Sequence, residues 1–257
     1  MNNETETYKD YTIHIAQDKS PSNLFEEFDC EPPIITYYGG RHGYAKSYCG
    51  APETISEIVD LMPASCFERG NRVKLIKEHL NCTMKEFVEC YRSQMTIRDA
   101  FIELLIEQVG STPSGWRDAI TWFEMAEGLL KEAGIPCLNG QSNGYSQGYS
   151  TLVLVIATPE WRKLTGVEEE GNIKTNLRGA FDLYSAWAWG DVYGIEKITA
   201  PPAEEDGEGE ELEEGSVWGY YGSDHEKSGL LESARSSIDW HINHLKEVAL
   251  NEPACHI

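Results

Sequence analysis

The stretch STLVLVIAT at residues 150–158 limits the possible folds more than any other part of the chain. It is continuously apolar and rich in β-branched residues, a pattern typical of a strand that is buried on both faces. The chain has 257 residues, of which 40% are hydrophobic, so it can build a sizeable core around such a strand. The sequence therefore predicts a globular protein organised around a buried sheet.

The residues just before this strand match a known catalytic pattern. GYSQG at 144–148 has the form G-x-S-x-G, which marks the nucleophile elbow of serine hydrolases. An elbow needs a strand before the serine and a helix after it, whereas here polar residues precede Ser146 and a strand follows. No spacing selects a triad from the downstream acids and histidines, Asp182 or Asp191 and His225 or His241. We interpret the segment as a turn, with Tyr145 and Gln147 as candidate surface or ligand contacts.

The first half of the chain changes from strand to helix patterns. Strands are predicted at 11–17 and 32–40, and a further short strand at the end of the glycine-rich stretch 39–50. From about 52 to 134 the apolar spacing is helical. Thr83 with Glu86, and Thr96 with Asp99, have the spacing of capping boxes, so a helix is expected to begin after each threonine.

The second half mixes both patterns. A helix is predicted within 172–191, and strands at 191–199 and 216–222 are expected to pair. The last helix, at 228–249, places five apolar residues on one face: Leu231, Ala234, Ile238, Leu245 and Val248.

These elements together predict an α+β fold, with a mixed or antiparallel sheet, helices packed on one side of it, and an inserted helical subdomain. The expected domains are an N-terminal β segment at 1–50, a helical subdomain at 51–134, and an α+β domain at 135–257.

The segment PPAEEDGEGEELEEG at 201–215 is the sharpest feature of the composition. Eight of the eleven residues 204–214 are acidic, and we predict that they bind a partner: Glu204, Glu205, Asp206, Glu208, Glu210, Glu211, Glu213 and Glu214. With its prolines and glycines, this segment is expected to be a solvated loop outside the core. It serves either as a linker that adds solubility or as an anionic surface for a basic groove. The whole chain carries a net charge of -22, which disfavours nucleic acid and favours basic partners.

The sequence contains none of the common patterns of zinc-binding, secreted, membrane-spanning or nucleotide-binding proteins. There is no C-x-x-C pair among the seven cysteines, no signal-peptide pattern, no run long enough for a membrane helix and no phosphate-binding loop. His241 and His244 are spaced to share a helix face, but they lie beside the apolar stripe, where a histidine of the core boundary is the commoner outcome. We therefore expect no metal, no cofactor, no direct nucleic-acid or membrane binding, and a cytoplasmic location.

Between residues 134 and 245, three stretches carry short motifs that follow one another in a fixed order. They are GYSQGYSTLVLVIATPEW, LYSAWAWGDVYGI and SVWGYYGSDHEKSGLLESARSSIDWHI. They resemble a family of uncharacterised bacteriophage and mobile-element proteins with SQGD-, GDVYG- and SCWGFYG-like motifs. Tyr149 stands where that family has an acid, and Val217 where it has a cysteine. The resemblance implies a phage setting and no particular chemistry.

The leading hypothesis is a phage-encoded, non-enzymatic inhibitor or adaptor. It would bind and inhibit a basic host nucleic-acid-binding protein, of defence or expression, by nucleic-acid mimicry or occlusion. One alternative is a small-molecule or metal-dependent enzyme, with a site between the 144–150 turn and Asp191, Trp218 and His225. Another is an accessory protein that acts as a homo-oligomer through its aromatic residues. Asp191, Trp218 and Tyr221 are further candidate surface or ligand contacts.

Overall fold

A computed structural model describes residues 4–21, 31–38, 44–48, 52–143, 150–202, 207, 209–212 and 215–251. Contacts divide the chain into two compact units. The central unit is Leu24–Ser185, and the terminal unit joins Met1–Asn23 to Ala186–Ile257. The predicted domain divisions after residues 50 and 134 differ from these limits and stay predictions.

The strands are β1 (Glu4–Tyr8), β2 (Tyr11–Gln17), β3 (Ile34–Tyr38), β4 (Tyr44–Tyr48), β5 (Cys137–Asn143), β6 (Ser150–Ile156), β7 (Val192–Thr199) and β8 (Val217–Tyr221). The α-helices are α1 (Ile55–Asp60), α2 (Arg69–His79), α3 (Met84–Ser93), α4 (Ile97–Val109), α5 (Trp116–Glu132), α6 (Pro159–Thr165), α7 (Glu170–Trp189) and α8 (Leu230–Asn251). The α+β prediction is confirmed, with the strands divided between two antiparallel sheets.

The central unit is built on the sheet β4-β3-β6-β5, in which β6 is an inner strand. Residues 151–156 of β6 are all buried, so the prediction of a strand buried on both faces is confirmed. Leu152, Leu154 and Ile156 pack into the helical core. Gly140, which pairs with Val153, lies against the ring of Phe181 on α7. Because neighbouring strand residues point to opposite faces, the contact of α7 at Gly140 lies on the face of the sheet opposite the helical core.

The helical run between β4 and β5 supplies most of the core of the central unit. Both predicted capping boxes are present, and Thr54 with Glu57 forms a third at the start of α1. On α4, Phe101 and Leu105 are fully buried. Trp122 of α5 is also fully buried, and its indole N–H donates to the carbonyl of Ser111 at 3.1 Å.

The terminal unit is built on the sheet β1-β2-β7-β8. The predicted pairing of β7 with β8 is confirmed, and β7 also pairs with the N-terminal strand β2, where Ile13 lies opposite Ile198. The buried apolar residues of this unit form one cluster: Tyr11, Ile13, Ile15, Ile195, Ile198, Leu212, Leu230, Leu231, Ala234 and Ile238.

The last helix buries only part of its predicted stripe. Leu231, Ala234 and Ile238 lie in the core, but Leu245 and Val248 are exposed. The apolar face that the sequence predicted is therefore buried only in the N-terminal half of α8, because the C-terminal half extends past the apolar cluster of its unit.

Candidate functional site

A cavity of 860 Å³ lies in the terminal unit between α8 and the residues that follow β7. We call it the α8 cleft. It is lined by Tyr11, Ala200, Pro201, Glu210, Glu211, Leu212, Ser233, Ser236, Ser237, Trp240, His241, His244 and Leu245. Its volume is in the range of small-molecule and peptide-anchor sites.

One wall of the cleft comes from the acidic segment. The N–H of Ala200 donates to the carbonyl of Glu210 at 2.8 Å, and the N–H of Leu212 donates to the carbonyl of Ile198 at 2.9 Å. Leu212 is only 8% exposed and belongs to the core cluster. The expectation of a solvated loop outside the core is therefore wrong at Leu212. This leucine is buried within the acidic segment, and it holds the neighbouring residues in place.

This anchoring positions two of the eight predicted partner-binding acids, Glu210 and Glu211, both exposed at the cleft. The other six lie outside the described residues: Glu204, Glu205, Asp206, Glu208, Glu213 and Glu214.

The other wall is one face of α8. Ser233, Ser236, Ser237, Trp240, His241 and His244 recur at three- and four-residue intervals, which brings them to the same side of a helix. The indole of Trp240 stacks on the imidazole of His244 with ring centroids 5.2 Å apart. His241 makes an edge contact with the buried ring of Tyr11 at 6.0 Å. Each histidine of the predicted pair thus contacts an aromatic ring.

The chemistry of the cleft suits a cation that carries hydrogen-bond donors. Exposed carboxylates accept charge-assisted hydrogen bonds, and the face of an indole attracts ammonium and guanidinium groups. Serine hydroxyls can donate or accept and so complete the contacts of a planar guanidinium. An arginine side chain can pair with the carboxylates, stack on the indole and donate hydrogen bonds to the serine hydroxyls.

Among the other predicted contact residues, the three that the structure describes do not line this cleft: Asp191, Trp218 and Tyr221. Tyr145 and Gln147 lie outside the described residues, as does Ser146. The segment 144–149 joins the paired strands β5 and β6, so the element that follows Ser146 is a strand and not the helix of a nucleophile elbow. Trp218 and Tyr221 lie on β8, and Asp191 directly precedes β7, where its carbonyl accepts a hydrogen bond from the N–H of Gly222. Burial raises the pKa of Asp191.

A second polar cluster surrounds His225 in the terminal unit. Its Nε2 lies 3.1 Å from a carboxylate oxygen of Glu4, and its ring meets that of Tyr193 edge-on at 4.8 Å. Burial raises the pKa of Tyr193, and the charges of Asp191 and Glu4 raise it further. Glu4 was not singled out from the sequence because it is 221 residues from its partner.

The sequence of α8 contains a pattern that indicates this wall of the cleft. SARSSIDWHINH at 233–244 places three serines, one tryptophan and two histidines at helical intervals beside the apolar stripe. Such a polar and aromatic second face on an amphipathic helix indicates a contact surface.

No helix within the described residues is both long and apolar enough to cross a lipid bilayer. Comparison of the chain with models of protein families, with curated proteins and with solved structures gives no match.

Proposed function

We propose that this protein is an acidic binding protein whose α8 cleft takes up an arginine- or lysine-bearing segment of a basic partner. In the phage setting that the sequence resemblance implies, the partner is a host nucleic-acid-binding protein of defence or expression. Binding then occludes the groove that this partner uses for nucleic acid.

The observation that carries this proposal is that acidic side chains and an aromatic side chain line opposite walls of one cavity. Glu210 and Glu211 supply exposed carboxylates on one wall, and Trp240, which is 60% exposed, supplies an aromatic surface on the other. A basic side chain placed between them pairs with carboxylate and aromatic ring at once.

The charge of the whole chain supports the same function. A net charge of -22 attracts a basic protein over long range and speeds its encounter with the acidic surface. Six further acids lie within a few residues of Glu210 and Glu211 along the chain, so the local density of carboxylates approaches that of phosphates on nucleic acid. Lysines and arginines that normally contact phosphate can pair with these carboxylates instead.

The test uses a fluorescently labelled arginine-rich peptide and measures its binding by anisotropy at low and high salt. The variant E210Q/E211Q is compared with E232Q/E247Q, which removes the same charge from exposed positions of α8 that do not line the cleft. We expect the cleft variant to bind about threefold to tenfold more weakly, since each exposed ion pair contributes up to ~1 kcal/mol. The control variant should bind nearly as the wild type does. Equal weakening by both variants would show that bulk charge, and not the cleft, binds the peptide.

A second experiment addresses occlusion. A basic protein captured from bacterial lysate at low salt should be retained by the wild type and by E232Q/E247Q, and retained in smaller amount by E210Q/E211Q. Added DNA or RNA should then displace the protein from the complex, because both ligands use one groove. A partner that binds nucleic acid and this protein simultaneously contradicts the proposal.

A further inference from the structure

In the central unit, three ligand-type side chains converge where α2 and α5 end. His79 is the last residue of α2, Glu78 precedes it, and Glu132 is the last residue of α5. A ring nitrogen of His79 and carboxylate oxygens of the two glutamates all lie within 4.8 Å of one another. Helix C-termini carry partial negative charge, so both helix ends favour a cation nearby.

His79 has an unused polar atom. Its Nε2 is buried and has no hydrogen-bond partner among the described residues. Burial lowers the pKa of this histidine, although the nearby Glu132 and Glu78 act in the opposite direction. A buried nitrogen without a hydrogen-bond partner is unfavourable, and a bound ligand can supply the missing partner.

The packing of the two helices brings the imidazole close to α5. Gly128 lies one turn before Glu132, and a Cβ at this position would come within 3.0 Å of Cε1 of His79. The absence of a side chain at Gly128 therefore lets the His79 ring approach the helix that carries Glu132.

A cation already lies against these carboxylates. The Nζ atom of Lys74 is 2.9 and 3.1 Å from the two carboxylate oxygens of Glu132 and 3.6 Å from an oxygen of Glu78. More than half of the Lys74 side chain is exposed, so it can swing into solvent when another cation binds. The ammonium group of Lys74 and a metal ion would therefore compete for the same oxygens.

We propose that Glu78, His79 and Glu132 form a binding site for a divalent transition-metal ion, here called the α2–α5 site. One imidazole and two carboxylates match the ligand preferences of Zn²⁺, and three protein ligands leave a coordination position for water. The site belongs to the central unit and does not depend on the function proposed for the α8 cleft.

The test is a calorimetric titration of the full chain with Zn²⁺ alone, in buffer that keeps the thiols reduced without binding metal. We expect wild-type binding that H79Q and E132Q each weaken at least ~tenfold, which corresponds to ~1.4 kcal/mol. We expect K74M to bind Zn²⁺ about threefold to tenfold more tightly, because the competing ammonium is gone. Circular dichroism of each variant shows whether it is folded.

Two control variants separate this site from other metal ligands. E170Q removes an exposed carboxylate on α7 that pairs with Lys174 and does not belong to the cluster of His79. This variant should bind Zn²⁺ as the wild type does. C66S removes a thiol whose Sγ lies 3.8 Å from the backbone carbonyl of Glu132, and it too should leave the affinity unchanged. Binding that survives in folded H79Q and E132Q, or is absent from both wild type and K74M, overturns the proposal.

Discussion

The indole of Trp240 stacks on the imidazole of His244, one turn further along α8, with the two ring planes only 4° from parallel. Trp240 nevertheless keeps 60% of its surface exposed, so the stack holds a large aromatic ring at the edge of the α8 cleft instead of burying it. Rigid, accessible tryptophans of this kind contribute strongly to protein interfaces.

Replacement of Trp240 by alanine should weaken binding of the arginine-rich peptide about threefold or more, because a cation–π contact at an exposed site contributes ~0.5–1 kcal/mol. W240F should retain part of the affinity. Thermal stability should change little, since the ring is mostly exposed. The control is W218A, which removes another exposed indole that does not line the cleft. If W218A weakens binding as much as W240A does, the contact surface is on the β7–β8 pair.

Leu212 anchors the acidic wall, so L212A should affect both stability and binding. Loss of this buried leucine should lower the free energy of unfolding by about 2–3 kcal/mol. Urea unfolding of the full chain measures the change. Peptide binding should weaken because Glu210 and Glu211 are no longer held opposite α8. The matched control is L164A, in which a leucine that is 69% exposed is removed and stability should change by less than ~0.5 kcal/mol. Unchanged binding by L212A would mean that the acids act without a fixed position.

Substitution by alanine at Gly140 and at Gly179 should change the free energy of unfolding in opposite directions. A Cβ at Gly140 would lie 2.8 Å from the buried ring of Phe181, so G140A should destabilise the central unit by about 1–3 kcal/mol. Gly179 is an exposed residue of α7 with nothing within 4 Å of its added Cβ, and G179A should stabilise by up to ~1 kcal/mol through helix propensity. Urea unfolding of the two variants gives both values. A stabilising G140A would show that α7 does not pack closely on β5.

The Cys137 thiol should react slowly with alkylating reagents. Burial raises the pKa of Cys137 to about 11, and the charge of Glu127 adds to the effect. Because only the thiolate reacts, and its fraction falls tenfold for each pKa unit, iodoacetamide at pH 8 should modify Cys137 at least ~tenfold more slowly in the native protein than in urea. Peptide mapping by mass spectrometry follows this one site. The native rate should rise as the pH approaches 11, and equal rates at pH 8 in both states contradict the prediction.

Much of the local structure could be predicted from sequence. Strand β2 at Tyr11–Gln17 has the predicted bounds, and helices begin after Thr83 and Thr96 as expected. Strands β1 and β5 were not predicted, because ETETY and CLNGQSN have no apolar alternation. Their hydrogen bonds to β2 and β6 hold them in sheets, and that pairing leaves little trace in the sequence of either strand.

The sequence by itself determined where the buried strand and the capped helices lie, and it determined the large negative charge of the chain. These properties depend on residues within about a helical turn of one another, so they can be read locally. Tertiary structure alone decided that Leu212 is buried, that Glu210 and Glu211 lie across a cavity from Trp240, and that Glu132 joins Glu78 and His79. Packing brings together residues that are distant in the chain, and their separate local patterns do not specify which of them will meet.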